Sequence, residues 1–532
     1  MNVRNIEIPY EADRSRRYRL FEILPGAITW TILILPFIVS LFAPEAVIIF
    51  TIVYIMLWLF KSIGLLVRNF QGLNQMERFK KMDWNALNSD LQAGVMSADR
   101  VAPKWHAENL QRLGSIKPDD VIHAVFIAAY NETREVLEPT IQSVIASNYD
   151  MKKVILVMAY EGRDGAQSEK SVLDLAKEYG PQFAHIEVSK HPLTPKEVRG
   201  KGGNITYAAR RLETYLKKEK IDPMKVVVTT LDADNRPHKE YFAALTYLYT
   251  VCPDPLHASF QPVVIFTNNI WDAPAPMRVI ATGNSFWNIT LSMRQHMIRN
   301  FSSHAQGMQA LIDTDYWSVR TVVEDGHHFW RTYFRYDGNH QVYPLYIPIS
   351  QDAVFSSTYL KTLKVQFIQL RRWAWGASDI AYVVDKGFFT KNKVPKKDLI
   401  MKLARLWEGH ISWSTAPLIL MFAGFIPALI NPKDYASAQL PVIAGQIQRF
   451  AMVGILATLF LSLKTLPPKP ERYKRHRTIF MVLQWVLLPF TTILYNAFSA
   501  INAQTRLMFG WYLDKFDVTD KATRTDDNKT II

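Results

Sequence analysis

Two aspartates one residue apart close an apolar run in Thr230-Leu231-Asp232-Ala233-Asp234-Asn235. Carboxylates so placed are the hard oxygen ligands that Mg2+ or Mn2+ takes, and these ions often share their coordination with a substrate's phosphates. A solvated acidic loop is the plainer reading, since Asp-x-Asp is common by chance. Upstream, Arg199-Gly200-Lys201-Gly202-Gly203-Asn204 opens a helical stretch. Backbone N–H groups at a helix start attract anions, and Lys201 adds a full charge. A glycine-rich turn capped by Asn204 would use the same residues without a ligand. The spacing is not that of a P-loop, which disfavours an ATPase.

Three more stretches carry usable groups. Tyr130-Asn131-Glu132 follows an apolar run and either meets a nucleobase or ribose or makes an ordinary turn. Val323-Glu324-Asp325-Gly326-His327-His328 sets an acid pair before a histidine pair, which suits metal ligation or a general base that activates a hydroxyl. Gln369-Leu370-Arg371-Arg372-Trp373 places a guanidinium beside an indole, able to hold phosphate and stack on a sugar, or simply to cover a helix surface.

Such groups need a frame. Residues 121–129, 154–158, 185–188 and 226–231 read as strands, with helical patterns such as 135–148 and 204–220 between them. That alternation predicts a parallel sheet, whose ligands bind beyond the carboxyl ends of the strands. Glu161 lies just past the second strand. Residues 119–397 thus form an α/β domain of mixed composition, although hydrophobic residues reach 49% of the 532-residue chain and charged ones only 21%.

The apolar excess lies at the two ends. Residues 23–44 and 46–67 are long enough to cross a bilayer, with Lys61 able to snorkel, and together predict a hairpin turning at Ala43-Pro44-Glu45 within a first unit, 1–75. No small-residue cleavage pattern follows the basic start, so it reads as an anchor and not a signal peptide. Residues 76–118 read as an amphipathic connector, 398–410 as an interfacial helix, and 411–505 as a second membrane region with runs at 411–432, 442–463 and 478–505. The last run is too long for one untilted span and too short for two, and Pro489 can break it, so a bent, re-entrant or interfacial segment is expected. A tail, 506–532, follows.

Net charge is +14, from 62 Lys+Arg against 48 Asp+Glu. Much of it flanks the apolar runs, as in Arg14, Arg16, Arg17 and Arg19, and in Lys464, Lys469, Arg472 and Lys474. That placement predicts the cytoplasmic face of a plasma (inner) membrane and a multi-pass protein, and speaks against nucleic acid as a partner. The single cysteine, Cys252, excludes an intramolecular disulfide and a cysteine-based zinc cluster.

Taken together and in this order, the motifs resemble those of processive family 2 glycosyltransferases, the group of cellulose, hyaluronan and poly-N-acetylglucosamine synthases. The resemblance spans about 121–375 plus the membrane frame. It implies a GT-A-like, Rossmann-related domain inserted between transmembrane helices, polymerising a β-linked polysaccharide from a nucleotide-sugar, a UDP-sugar above all, onto a growing glycan. By the resemblance, Tyr130 and Glu132, then Lys201, Gly203 and Asn204, bind the donor nucleotide together with Asp232, and Glu161 stands nearest the base. Asp234 and Asp232 resemble the metal motif, for Mg2+ or Mn2+. Glu324 and Asp325 resemble the Thr-Glu-Asp element with Val323 in place of Thr, which makes Asp325 the base. Gln369, Arg372 and Trp373 fit Gln-x-x-Arg-Trp, which holds the acceptor end and the diphosphate.

Phe516-Asp517-Val518-Thr519-Asp520-Lys521 is similar to the gating loop of cellulose synthases and implies nucleotide contacts from Thr519 and Lys521. Two features depart from the family. The usual Asp pair after the second strand is missing, and Ser302-Ser303-His304-Ala305-Gln306-Gly307 stands where cellulose synthases carry Phe-Phe-Cys, which argues against a cellulose product. Two other functions fit parts of the pattern: transfer of a single sugar to a lipid carrier, and a nucleotide-binding transporter without transferase chemistry.

Overall fold

The computed structural model describes residues 5–97, 103–163, 165–192, 194–474 and 476–513. Its centre is an eight-stranded sheet of order β3-β2-β1-β4-β7-β6-β8-β5. β1 (Ile122–Ala129), β2 (Val154–Glu161), β3 (His185–His191) and β4 (Val226–Asp232) are the four expected strands, and all pair in parallel. Along β1, Val125, Ile127 and Ala129 join the core on one face, while Ala124 and Phe126 join the core on the other. Both faces are therefore covered, as continuous apolar runs require. Helices Arg134–Ile145, Ala166–Tyr179 and Tyr241–Val251 cover the first face, and Lys201–Lys218 the second.

The other half of the sheet has no counterpart among the expected strands. β6 (Ala258–Phe266) and β8 (Gln341–Gln351) pair in parallel, while β7 (Ala305–Gly307) joins β4 to β6 antiparallel to both. Pro262, Pro344 and Pro348 interrupt these strands, and proline normally argues against an inner strand. Here the register slips between Pro262 and Val263, so the prolines sit at an irregularity that bends the pair. β5 (Arg236–Pro237) follows β4 after only three residues yet pairs with β8 at the far edge. The sheet must curl to allow this, and the curl wraps β8 around residues 233–235.

Four helices among the described residues are long and apolar enough to cross a membrane: Arg16–Ser40, Pro44–Lys80, Lys396–Ile430 and His476–Phe509. Pro44–Lys80 runs 37 residues, about 55 Å at the helical rise, so it continues well past the expected run 46–67. Its last turns carry Leu73 and Met76 into a core with Phe286 and Ile289 of the helix Ala275–Ser292. Gly72 makes that approach possible, since a Cβ there would lie 2.6 Å from Ile289. The interfacial helix read at 398–410 and the start of the run read at 411–432 form one helix, Lys396–Phe422, with Pro417 well inside.

Tyr435–Thr465 is a further 31-residue helix whose Leu461 returns to the same core as Leu73. Asn431 Nδ2 donates to Ser40 O at 2.7 Å and ties two helix-to-helix turns together. His476–Phe509 behaves differently. Met481 packs with Phe266 and Trp271, Arg278 Nε donates to Gln484 Oε1 at 2.5 Å, and Leu507 packs with Val322 and Trp375. Both ends of this helix meet the α/β domain, so it lies along the domain. Around Pro489 it passes through a 3-10 turn (Gln484–Leu487) and a π turn (Thr492–Ala497), so proline distorts the helix without ending it.

Candidate functional site

β4 delivers Asp232 to the carboxyl edge, and the turn that follows is locked by Asn235. Asp232 N–H and Ser303 Oγ–H both donate to Asn235 Oδ1 at 2.8 Å, and Asn235 Nδ2 donates to Gln351 Oε1 at 3.0 Å. One buried amide thus joins the ends of β4 and β8 to the loop before β7. Thr140 Oγ1 donates to Ala233 O at 2.6 Å, and the Asp352 N–H donates to Asp234 Oδ2 at 3.1 Å. Asp234 is buried, whereas Asp232 is partly open to the cleft.

Lys201 crosses to this edge from the first turn of its helix. Its Nζ lies 2.9 Å from Asp232 Oδ1 and 3.3 Å from Asp325 Oδ2. Burial pulls its pKa down, but the Asp232 and Asp325 carboxylates outweigh that and hold the ammonium above its ordinary value. Ser302 Oγ donates to the other Asp232 oxygen at 2.6 Å. The helix starts at Lys201 with Gly200 as its cap, so Asn204 is not the cap. Instead Asn204 Nδ2 donates to Ala159 O at 3.0 Å and Ala129 O at 3.4 Å, joining the ends of β2 and β1. Gly202 is dictated by space, since a Cβ there would lie 2.5 Å from the backbone Ser318 O, whereas at Gly203 a Cβ would press on the Glu197 side chain at 3.0 Å.

Glu324 and Asp325 open the helix Glu324–Arg335, where carboxylates meet the positive end of the helix dipole. Asp325 Oδ1 is buried, and among the described residues no donor reaches it. His304 Nδ1 stands 3.6 Å away. Trp317 Nε1 can only donate, and it meets His304 Nε2 at 3.3 Å, so the imidazole proton sits on Nδ1 and points to Phe301 O at 2.9 Å. Burial lowers the His304 pKa, against the pull of Asp325, and keeps the ring neutral. Burial, then the Asp325 carboxylate, pushes Glu324 up to about 8, opposed by Lys201 and Arg372. Glu324 therefore carries a proton at neutral pH.

The histidine pair does not ligate a metal with these acids. His327 Nδ1 donates to Asp379 Oδ1 and His328 Nε2 to Gln306 Oε1, both at 2.7 Å, and both rings are fully buried. Among the described residues no group of three or more His, Cys, Asp or Glu side chains forms a metal cage. Asp232 and Asp234 offer two hard carboxylates, one already balanced by Lys201. That donor set fits Mg2+ or Mn2+ shared with a diphosphate, which needs only one or two protein carboxylates.

Beside this cluster a cavity of about 320 Å3 is lined by Glu161, His191, Lys196, Glu197, Arg199 and Gly200, among others. Glu161 pairs with Arg163, whose guanidinium lies 4.1 Å above the Tyr130 ring. Tyr130 is thus joined to the cavity wall through Arg163, while Glu132 turns back to accept from the Tyr130 N–H. Asn131 takes a left-handed φ of 59° between them, and its Oδ1 accepts from the Gly165 N–H at 3.0 Å.

Gln369, Arg372 and Trp373 share one face of the helix Tyr359–Ala374 by their i, i+3, i+4 spacing, and all three are partly exposed. Trp373 packs on Phe266 at 6.2 Å between ring centres, and Arg372 lies within electrostatic reach of Glu324. Thr519 and Lys521 fall outside the described residues. Tyr512 and Leu513, near the end of the described chain, pack on the same cluster as Val198 and Val323, the neighbours of the glycine turn and of Glu324.

Two kinds of contributor escaped the sequence reading. Asn235, Ser302 and His304 are short polar residues whose roles come from loops meeting in space. The other kind is the N-terminal strap. Glu7 accepts from Arg331 at 2.7 Å and Ser318 at 2.5 Å, Ile8 O accepts from Arg320 at 2.7 Å, and Arg320 lies 3.5 Å over the Tyr10 ring. Val198 N–H in turn donates to Val319 O at 2.8 Å, so the strap backs the segment that supports both the acids and the cavity. A separation of more than 300 residues leaves no local signal for it.

No family model matches the chain, and no curated protein matches it. Solved structures that overlay on it include the mannosyltransferase PcManGT from Pyrobaculum calidifontis in complex with GDP-Man and Mn2+, at 15% identity and a TM-score of 0.39 over 81% of this chain and 99% of that one. S. aureus TarS 1–349 in complex with UDP-GlcNAc overlays at 12% identity and 0.36, over 73% and 92%. GalNAc-T7 with UDP, GalNAc and Mn2+ overlays at 11% and 0.31, over 55% and 58%. Likenesses this low carry no argument about chemistry.

Proposed function

We propose that the chain is a membrane-embedded, inverting family 2 glycosyltransferase with a GT-A-like catalytic domain on the cytoplasmic face, polymerising a β-linked polysaccharide from a nucleotide-sugar. The observation that carries this reading is the Lys201 bridge. Three motifs far apart in sequence meet through it: Asp232 at 2.9 Å, Asp325 at 3.3 Å, and the glycine turn that bears the lysine.

In this mechanism Asp325 takes the proton from an acceptor hydroxyl, and that oxygen attacks the anomeric carbon from the side opposite the nucleotide. The bond from sugar to diphosphate breaks and the configuration inverts. Lys201 and Arg372 hold the charge that develops on the departing diphosphate. Asp232 and Asp234 would hold Mg2+ or Mn2+, which when bound supplies charge neutralisation at the diphosphate. Trp373 offers its ring to the terminal sugar, with Gln369 one helical turn before it. Tyr130, Glu132, Glu161, Gly203 and Asn204 form or brace the nucleotide side. The long apolar helices give a polar glycan a path that lipid alone denies.

Incubation of the purified chain with a panel of labelled UDP-sugars, followed by sizing of the product, tests the proposal. A long glycan, lost on chelation and restored by Mg2+ or Mn2+, is expected. A single sugar on a lipid overturns polymerisation, and nucleotide binding without transfer overturns catalysis. The placement of Leu513 beside the cluster supports a cytoplasmic tail from which Thr519 and Lys521 reach the nucleotide. Asp526→Cys in a Cys252→Ser background tests this: labelling of intact cells by an impermeant thiol reagent refutes it.

A further inference from the structure

A second cavity, of about 520 Å3, lies between the helices Pro44–Lys80 and Lys396–Phe422. Lys61, Arg68 and Arg294 line it against a single carboxylate, Glu408, with Tyr54 and Trp58 among the apolar walls. Glu408 is already engaged: Lys61 Nζ lies 2.6 Å from it, and Ser412 Oγ donates to it at 3.1 Å. Among the described residues, neither arginine forms a direct ion pair, and their contacts are local. Arg68 Nη1 donates to Gly64 O at 2.9 Å, and Arg294 Nη1 approaches Met297 Sδ at 3.7 Å. Burial lowers the Arg294 pKa and the charge of Arg68 lowers it further, against the pull of Glu408, so the two lining guanidinium groups repel each other.

An anion between them would relieve that opposition. The walls say which kind. Leu57, Phe60, Ile63 and Val67 present about half or more of their surfaces outward on the same stretch of helix. Trp58 meanwhile holds the Lys61 ammonium 4.9 Å from its ring centre. Basic and aromatic side chains gathered at the end of an apolar run mark the headgroup level of a bilayer. A free phosphate would satisfy the arginines and leave the apolar surface unmatched.

We propose that this cavity binds an anionic phospholipid, its phosphate between Arg68 and Arg294 and its acyl chains along Leu57 and Phe60. The site rests on the reading of Pro44–Lys80 as a membrane helix, and it does not depend on the transferase chemistry.

The test uses the full chain in phosphatidylcholine nanodiscs with and without phosphatidylglycerol. Retained lipid is read by native mass spectrometry and Tm by scanning fluorimetry. The wild type should retain phosphatidylglycerol and melt higher in its presence. The double variant R68Q/R294Q should lose retention roughly thirtyfold, equivalent to about 2 kcal/mol for two basic residues at a membrane surface, and should show no lipid-dependent rise in Tm. Glu408→Gln frees Lys61 and should tighten retention. If the double variant melts lower in phosphatidylcholine alone, the single variants R68Q and R294Q carry the comparison. Equal retention by wild type and arginine variants, or weaker retention by Glu408→Gln, overturns the site. A rise in Tm from inorganic phosphate in phosphatidylcholine discs, as large as that from phosphatidylglycerol, overturns the lipid as the source of the anion. Failure of the chain to enter nanodiscs overturns the membrane reading, separately from any of these.

Discussion

Asp232 and Arg372 both lie near the Lys201–Glu324 cluster, yet they rest on different foundations. Asp232 ends a strand buried on both faces, is bridged to Asp325 through Lys201, and receives a hydroxyl from Ser302. Arg372 is partly exposed on a helix whose neighbour Trp373 packs in a cluster with Met481 and Tyr495, from a segment more than a hundred residues later. The first side is positioned by local sheet geometry and cross-linked charge. The second is positioned by where His476–Phe509 lies against the domain. On the proposed function, such an arrangement would hold the reacting groups rigid while the outer wall follows the placement of His476–Phe509.

The largest effects should fall on the cross-linked side. Asp325→Asn is expected to cut transfer by about 10^2 to 10^4-fold, the usual worth of a general base, with nucleotide affinity almost unchanged in a titration of the donor. Loss of donor affinity with catalysis spared would move Asp325 out of the base role. Lys201→Met removes the bridge and leaves Asp232 and Asp325 facing each other, which should destabilise the fold by about 3–5 kcal/mol in denaturant melts. Arg372→Gln should slow transfer while moving the melting curve little. Equal destabilisation by the two variants would erase the contrast between the sides.

The same contrast governs what is legible in the sequence. β1 to β4, with the residues at their ends, follow from apolar β-branched runs and short-range order, so the sequence pattern alone places Asp232, Lys201 and Glu161 at one sheet edge. It does not place β6 and β8, because Pro262, Pro344 and Pro348 contradict strand propensity and only the curl of the sheet accommodates them. At Pro489 the expected distortion takes the form of a 3-10 turn and a π turn, while packing at both ends keeps the helix going. His327 and His328 look like ligands for want of their partners, Asp379 and Gln306, which lie on other elements.

Adjacent acids sharpen the comparison further. Glu324 holds its proton up to about 8 in the folded chain, whereas an ordinary glutamate gives it up near 4.5. Its contribution is therefore full below pH 4.5 and is lost as pH rises from there through 8. Tm should fall over that window, and Glu324→Gln should flatten the fall. A variant with the same slope as the wild type would place the titration elsewhere.

The smallest expected effect comes from the strap, and its sign is opposite. Burial raises the Glu7 pKa, but Arg331 and the Ser318 hydroxyl outweigh it, and the net value is lowered below 4.5. A lowered carboxylate contributes stability above its unfolded pKa and loses it as pH falls through the folded one. Glu7→Gln keeps the shape and removes the charge, so it should cost about 1.5–3 kcal/mol at neutral pH, the range for a hydrogen bond to a charged group, and should flatten the acid side of the Tm profile. Because Ser318 O abuts Gly202 and Val319 O holds Val198, slackening the strap should also raise KM for the donor while kcat changes less. Set beside the wild type from about pH 4 to about pH 8, both variants should part from it most at the upper end and with opposite signs: Glu324→Gln melts higher there, whereas Glu7→Gln melts lower and its gap closes as acid protonates the wild-type carboxylate. If the Glu7→Gln gap stays the same on acidification, the strap does not carry the charge assigned to it. If KM stays fixed, the strap supports the fold without positioning the site.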